Sequence, residues 1–301
     1  MKTLVTGGGG FIGAWVVRRL IAAGIQVRVL ELGTDNRLLT QILGRTPSDV
    51  EWLAGDLSRR ADFESAADGC DRIIHLAGAL GPLCQTDPAR AAEINYVGTL
   101  HVFALANKLS VPVVYASTAL VHTSSDGETV VPGGHYGIFK LASELSADVY
   151  FRENGLSSIG IRPPVVYGFG RTQGNSAGLS LACRAAALGE DYTIAMSGLV
   201  EAAYVEDVAA AFVMAATRPP QGAHAVNLIG TRVSIDDFTD ATRRIVPQAR
   251  LSVGGREHAI TPVRPGRNLD DLIPAIPRTA IADGIAATIR YHRSGLSPVA
   301  A

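Results

Sequence analysis

Lys2-Thr-Leu-Val-Thr-Gly-Gly-Gly-Gly-Phe-Ile-Gly13 decides how this chain folds. Leu4 and Val5 are apolar and run into a glycine cluster, the pattern of a short buried strand. From Phe11 onward apolar residues recur at helical spacing through Trp15, Val16 and Leu20. The stretch therefore predicts strand, glycine turn, helix. Gly7, Gly10 and Gly13 stand three apart. A glycine at the turn permits backbone angles that other residues resist. One in the middle lets the chain approach a pyrophosphate, and the last lets helix and strand pack closely. The helix start, Phe11, Ile12 and Gly13, presents its N–H groups to the phosphates. A glycine-rich run alone also describes a flexible loop. The strand before it, the helix after it and the acid at Glu31 select dinucleotide binding.

Outward from this turn, Gly24 reads as the end of the first helix, and Val27-Arg-Val-Leu-Glu31 as a second strand closing on an acid. That carboxylate is placed to accept hydrogen bonds from ribose hydroxyls. A 2′-phosphate there would meet like charge, so Glu31 argues for NAD over NADP, while Arg37 leaves room for NADP. Further strands are expected at Val50–Ala54, Arg72–Ala77, Val111–Ala116 and Ser158–Arg162. Helices are expected over 89–109, containing Asn95, and from Tyr136 to Asn154. Alternating strands and helices predict an α/β fold, a Rossmann-type doubly wound parallel sheet. Ligands of such sheets bind beyond the carboxyl ends of the strands. The glycine turn, Glu31, Asp56, Ala77, Thr118 and Arg162 all fall at or near such ends.

Residues 165–203 lose the alternation and carry many Gly and Ala. A helix from Val205 to Thr217, a strand over Ala225–Ile229 and a helix capped by Ser234 follow. The expected division is a NAD-binding domain over 1–164, with parts of 204–230 returning to it. Residues 165–301 then form mainly a smaller C-terminal substrate-binding lobe.

With 301 residues, 47% of them hydrophobic and a net charge of −1, the chain can build a sizeable core. It offers no electrostatic case for nucleic acid or an anionic membrane. No signal peptide or apolar run of membrane length appears, which predicts a cytoplasmic protein. Cys70, Cys84 and Cys183 form no paired motif and read as reduced core thiols. The seven histidines show no metal spacing, and His75, inside an apolar strand, reads as structural.

Tyr136-Gly-Ile-Phe-Lys140 places Tyr and Lys four apart, on one helix face. A neutral tyrosine, with a pKa near 10, is a poor base at pH 7. A nearby lysine cation stabilises tyrosinate, so the phenol can exchange a proton with a substrate hydroxyl as hydride moves to or from nicotinamide. Thr118, at the end of the preceding strand, can bond the same oxygen.

The chain resembles the extended short-chain dehydrogenases/reductases, the group of NAD-dependent epimerases and dehydratases. The resemblance rests on Thr6-Gly-Gly-Gly-Gly-Phe-Ile-Gly13, Gly55-Asp-Leu57, His75-Leu-Ala-Gly78, Asn95, Ala116-Ser-Thr118, Tyr136 to Lys140, Arg162-Pro-Pro-Val-Val-Tyr-Gly168 and Tyr204-Val-Glu-Asp-Val-Ala209. It covers about two thirds of the chain, in the family's order. It implies Thr118, Tyr136 and Lys140 as the catalytic set and NAD as the cofactor. It implies a cofactor site at Asp56 and Leu57 (adenine), Leu76, Ala77, Gly78, Asn95, Ser117 and Pro163, with Tyr136 and Lys140 also touching the cofactor. It implies a homodimer paired through the helices of Asn95 and Tyr136.

Two departures narrow the chemistry. The sugar dehydratases of this group carry Asp-Glu after the catalytic Thr, where Ala119 and Leu120 stand here, so dehydration lacks its acid and base. Nucleotide-sugar epimerases place an arginine four residues before the aromatic of Tyr204-Val-Glu-Asp207, where this chain has Val200 beside Glu201. Arg171, Arg232, Arg264 or Arg267 would have to replace it. Arg162, Arg264 and Arg267 are therefore candidate substrate contacts, with Thr118. Three readings stay open: a NAD-dependent epimerase or dehydrogenase acting on a secondary hydroxyl of a small sugar, sugar acid or other alcohol; a nucleotide-sugar 4-epimerase with compensating arginines; and a non-catalytic NAD(P)-sensing protein.

Overall fold

A computed structural model describes residues 1–123, 130–174, 176–257 and 266–294. The chain divides into two units. The first takes in residues 1–163, 209–228 and the described part of 261–276, and the second takes in 164–208, 229–260 and 277–301 as far as described.

In the first unit the strands are β1 (Lys2–Thr6), β2 (Gln26–Glu31), β3 (Val50–Ala54), β4 (Arg72–His75), β5 (Val113–Ala116) and β6 (Ser158–Arg162). The helices between them are α1 (Phe11–Ala22), α2 (Arg37–Leu43), α3 (Arg60–Ala67), α4 (Gly81–Thr86), α5 (Pro88–Ala92), α6 (Gly98–Leu109) and α7 (Gly134–Asn154). The second unit contributes β7 (Val165–Tyr167), α8 (Gly178–Leu188), β8 (Tyr192–Ser197) and β9 (Leu199–Tyr204). The chain continues with α9 (Val205–Thr217), β10 (Ala223–Asn227), β11 (Thr231–Ser234), α10 (Ile235–Ile245), β12 (Leu251–Glu257), β13 (Arg267–Asn268) and α11 (Ile281–Ser294).

Eight strands form one parallel sheet in the order β13-β10-β6-β5-β4-β1-β2-β3. The order reverses at β1, whose neighbours are β2 and β4, and the crevice for a ligand opens at that switch point. This is the doubly wound Rossmann-type sheet expected from the alternation. Successive side chains of a strand point to opposite faces. Leu4, Leu30, Ile73 and Tyr115 bury themselves with Phe63 of α3 and Phe103 of α6. Val29 points the other way and meets Val17 of α1 beside Gly8.

In the second unit β7, β9 and β11 form a three-stranded sheet and β8 pairs with β12. The region 165–203 is thus more regular than its composition suggests. Its glycine and alanine residues hide the pattern because they serve close packing. A Cβ on Gly178 of α8 would stand 2.9 Å from Ile194 of β8.

Several boundaries differ from expectation for definable reasons. β4 stops at His75 because the Ala77 N–H turns to the Thr6 hydroxyl, 3.3 Å away. β5 begins only at Val113, since the Val111 N–H still bonds Ala106 at the end of α6 and Pro112 has no N–H to give. The single helix expected over 89–109 is α5, a π-turn over Glu93–Val97 and α6. Ser234 caps α10 as expected, accepting the Asp237 N–H at 2.9 Å. The three cysteines are buried and free. Among the described residues no helix is long and apolar enough to cross a membrane, and no group of His, Cys, Asp or Glu could hold a metal ion.

His75 lies between β1 and the start of α6, fully buried. Its Nδ1 sits 2.7 Å from the Thr6 hydroxyl and its Nε2 3.0 Å from the Thr99 hydroxyl. Thr99 donates to the Asn95 carbonyl at 2.7 Å, so it accepts from Nε2–H, and Thr6 donates to Nδ1. This neutral tautomer is the one the network allows, and burial first, then the Lys140 charge, push the ring down to about 3. A lowered folded value means the unfolded chain takes up a proton near pH 6.5 that the folded chain refuses. Stability is therefore full above pH 6.5 and falls as pH drops. Burial lowers His292 of the second unit to about 4, adding to the loss in the same direction. Denaturant melts at pH 7 and about pH 5 are expected to differ by roughly 2 kcal/mol from His75 alone. Equal stability at both would contradict this account.

Candidate functional site

The glycine turn is shaped by contacts that leave no room for a side chain. Gly7 has φ +73°, and a Cβ there would stand 2.6 Å from the Ala77 nitrogen. One on Gly13 would stand 2.0 Å from the Gly7 carbonyl. So β1, the end of β4 and the start of α1 close on one another at backbone distance. α1 then begins at Phe11 with no side chain capping Gly10. A helix start of this kind is an anion site, and Phe11 and Ile12 are half-buried beside exposed Gly10.

Glu31 closes β2 next to this turn. Its Oε2 accepts the Gly9 N–H at 3.2 Å and its Oε1 the Leu32 N–H at 3.0 Å. The carboxylate is thereby fixed beside the glycines, where ribose hydroxyls of a dinucleotide would lie. Arg37, the cation that left room for a 2′-phosphate, is held by Asp35 through Nε and Nη2, with 2.6 Å from Nη2 to Oδ2. Asp56 turns one oxygen to the Ser58 N–H at 2.8 Å and the other to Arg90 at 3.2 Å. The Leu57 side chain belongs to the core. These residues fit a dinucleotide cofactor with free ribose hydroxyls.

At the end of β4, Leu76 and Ala77 are half-buried and Gly78 is exposed. A Cβ on Gly78 would meet Asn95 Oδ1 at 2.7 Å and Lys140 Nζ at 3.7 Å. Asn95 is fully buried. Its amide accepts from the Ala79 N–H at 2.9 Å and donates to the Ala79 carbonyl at 3.0 Å. Its side chain holds the loop that carries Gly78. The π-turn makes this possible by displacing Asn95 from regular helical register, a distortion often found at functional sites.

Lys140 and Tyr136 share a face of α7, with Nζ 5.8 Å from the centre of the Tyr136 ring. Tyr136 is half-buried and Lys140 is 3% exposed. Burial pushes Lys140 down to about 8, while Cys84 and Glu144 oppose the fall. Thr118 is half-buried after β5, and its Oγ1 accepts the Leu120 N–H at 3.2 Å to start a single turn over Ala119–Val121. That turn lies against the start of α7. A Cβ on Gly137 would stand 2.5 Å from the Leu120 carbonyl, so the residue after Tyr136 has to be glycine. The Ala119 N–H bonds the Pro163 carbonyl at 3.2 Å.

Two other side chains have their places behind this face. Ser117 is buried and donates its hydroxyl to Glu144. Arg162, expected as a substrate contact, is buried and gives Nε and Nη2 to the same Glu144 at 2.8 and 2.6 Å. Its guanidinium faces a carboxylate of its own fold. Glu144 is the residue that sequence reasoning missed. The four-residue step from Tyr136 to Lys140 reaches it when repeated once, which was the available signal.

In the second unit Val200 is fully buried in β9 and pairs with Val233 of β11. Glu201 accepts the Gly230 N–H at 2.7 Å and stands opposite Arg232 in the ladder. Arg171 donates to the Val166 carbonyl and to Ser176. Arg267 is exposed in β13, and Arg264 lies outside the described residues.

Comparison with known proteins gives a consistent result. The model of the NAD dependent epimerase/dehydratase family matches residues 3–229. Dihydroflavonol 4-reductase of Dianthus caryophyllus is 28% identical over 54% of this chain, which spans 51% of that protein. The chain thus spans about half the length of that curated relative. UDP-glucose 4-epimerase of Mycolicibacterium smegmatis is 28% identical over 98% of this chain and 99% of its own length. Among solved structures, UDP-glucose 4-epimerase of Thermus thermophilus in complex with NAD superposes with a TM-score of 0.78 at 24% identity, covering 97% of this chain and 99% of that one. The last likeness establishes the fold.

The Glu31 geometry sets the expected cofactor preference. NADH is expected to bind at least about tenfold more tightly than NADPH, since the 2′-phosphate would face a fixed carboxylate. Replacing Glu31 with Gln should narrow the ratio. Fluorescence titration of both cofactors checks this, and tighter binding of NADPH to the native chain would overturn it.

Proposed function

The chain belongs to the NAD dependent epimerase/dehydratase family, and from that premise we propose that it oxidises and reduces a secondary hydroxyl of a sugar or sugar-like substrate, with Thr118, Tyr136 and Lys140 at the reacting centre. The observation that carries this reading is the buried Lys140 head beside the half-buried Tyr136 ring, next to Gly78 and the strand end of Thr118. A nicotinamide dinucleotide bound at the glycine turn supplies the hydride acceptor and donor. Tyr136 takes the hydroxyl proton as the carbinol carbon gives up its hydride, and returns it in the reverse step. The Lys140 cation lowers the cost of the phenolate. Thr118 Oγ1 holds the reacting oxygen. An epimerase returns the hydride to the opposite face of the same carbon, whereas a dehydrogenase releases the carbonyl product. Ala119 and Leu120 supply no acid or base for expelling water, so dehydration is not part of the proposal.

The substrate proposed is a small sugar, sugar acid or comparable alcohol. Val200, where an epimerase of this family would offer arginine, is a core residue of β9, and Glu201 beside it is bound to the Gly230 N–H. Without that arginine a diphosphate loses a charge-assisted contact of roughly 1.5–3 kcal/mol, about ten- to a hundredfold in affinity. A second reading, nucleotide-sugar 4-epimerase, is favoured by the near full-length likeness to the Mycolicibacterium smegmatis enzyme. It would require Arg232, Arg264 or Arg267 to meet the diphosphate.

We also propose a homodimer. α7 exposes Ile138, Leu145 and Val149, spaced seven and four apart and so on one face, and Val97 of the π-turn is exposed as well. An apolar stripe of this kind on a surface helix suits a matching stripe on a second copy.

Three outcomes are expected. Tyr136→Phe keeps the ring and the fold but should lower turnover on the order of a hundredfold or more with NADH affinity nearly unchanged; activity within about threefold of the native enzyme would sink the assignment. Titration calorimetry with UDP, GDP and dTDP is expected to show weak binding, and a low-micromolar dissociation constant for any of them would establish the second reading instead. Leu145→Glu is expected to give a monomer in sedimentation; a native protein that sediments as a monomer would refute the dimer, and a variant that stays dimeric would refute this interface.

A further inference from the structure

Glu144 lies one helical turn beyond Lys140, which lies one turn beyond Tyr136. Its carboxylate accepts from three donors of two other elements. Arg162, closing β6, gives Nε to Oε1 and Nη2 to Oε2. Ser117, which directly precedes Thr118, gives its hydroxyl to Oε1. One buried carboxylate therefore ties α7 to the ends of β5 and β6.

The placement needs a reason, because a buried ion pair by itself is weak grounds for stability. Well-packed apolar side chains of similar volume do as well or better in such positions. Here the pair stands between two groups assigned to the chemistry. On one side the Ser117 bond fixes the residue before Thr118. On the other, Lys140 is four residues away on the same helix, close enough for the charges to act on each other.

The surroundings of Lys140 otherwise work against its charge. Burial pushes the ammonium down to about 8, and among its neighbours Cys84 from α4 and Glu144 favour the cation. His75 from β4 is neutral, with its value set by burial. Tyr136 presents its ring from α7, and Asn95 of the π-turn has its amide on Ala79. Arg90 of α5 is directed to Asp56 and Glu93. Tyr115 of β5 is buried near Glu144 and Arg162, where burial holds it a neutral phenol. Of these groups Glu144 is the carboxylate one turn along Lys140's own helix, and Arg162 holds it in place through Nε and Nη2.

We propose that Glu144 is a positioning residue, which sets a carboxylate one helical turn from the Lys140 head and holds the Ser117–Thr118 strand end against the face of α7 that carries Tyr136. The proposal rests on the assignment of Lys140 and Tyr136 to the reacting centre. It assigns Arg162 to holding Glu144, not to substrate.

The chain has three lysines, Lys2, Lys108 and Lys140. Nitrogen-15 labelling of lysine therefore gives few side-chain resonances, and the one lost in Lys140→Met identifies Lys140. In the full-length protein its midpoint is expected to fall by about half a pH unit or more on Glu144→Gln. NADH affinity, followed with pH, is expected to decline along the same displaced curve. Glu144→Asp, which retains the charge on a shorter arm, should bring the midpoint most of the way back. Ser117→Ala leaves the ion pair whole and should leave the midpoint unmoved. Should Glu144→Gln fail to fold with Arg162 left unpaired, Glu144→Gln combined with Arg162→Gln removes both buried charges, and a shift in the same direction is expected. A purely structural role lowers the melting temperature of these variants without moving Lys140. An unmoved midpoint and NADH curve in either folded variant overturns the proposal. A Lys140→Met protein that binds NADH as the native one does would instead refute the assignment of Lys140 itself.

Discussion

The first unit depends on a contact made by backbone alone. Gly13, Gly7 and Ala77 approach so closely that a single added Cβ would fall 2.0 Å from one carbonyl or 2.6 Å from one amide nitrogen. This closure brings β1, β4 and α1 together at the point where the strand order reverses. It creates a crevice with a helix start on one side and strand ends on the other. Everything assigned to the cofactor or to the chemistry in this unit is arranged around those ends.

Polar side chains then hold the ends in place from behind. The directed chain from the Ala77 N–H through Thr6, His75 and Thr99 to the Asn95 carbonyl satisfies each member once. Asn95 returns its amide to Ala79, so the loop after β4 is held at both sides of exposed Gly78. Glu144 does the corresponding work for β5, β6 and α7. Fully satisfied networks of this kind rigidify a site, and a single unsatisfied member would cost the desolvation of a buried group. A half-buried tyrosine and a buried lysine can hold a useful geometry because the elements that carry them cannot slide.

Asp35 and Glu31 illustrate a division of labour at the cofactor end. Glu31 presents the carboxylate proposed for the ribose hydroxyls, and its orientation comes from the Gly9 and Leu32 N–H groups. Asp35 takes up the guanidinium of Arg37 on the exposed loop. An exposed pair adds little to stability, but here it occupies the guanidinium of Arg37.

The sequence by itself determined the strand–glycine–helix opening, the alternation that makes a parallel sheet, and the Tyr136–Lys140 pair. Each of these is local: a glycine spacing, a period of two or of about four, a step of one helical turn. Strand ends shifted by a few residues where N–H groups were claimed by partners far away in sequence, as Ala77 is by Thr6 and Val111 by the end of α6. The regularity of 165–203 is not legible in the sequence because its small residues answer to packing partners such as Ile194, not to a period. Tertiary structure alone decided that Asn95 holds a loop, that Arg162 faces Glu144 and that Val200 is core. In each case a charge, an amide or a methyl group is directed by what lies across the fold, and burial makes that partner the one that counts.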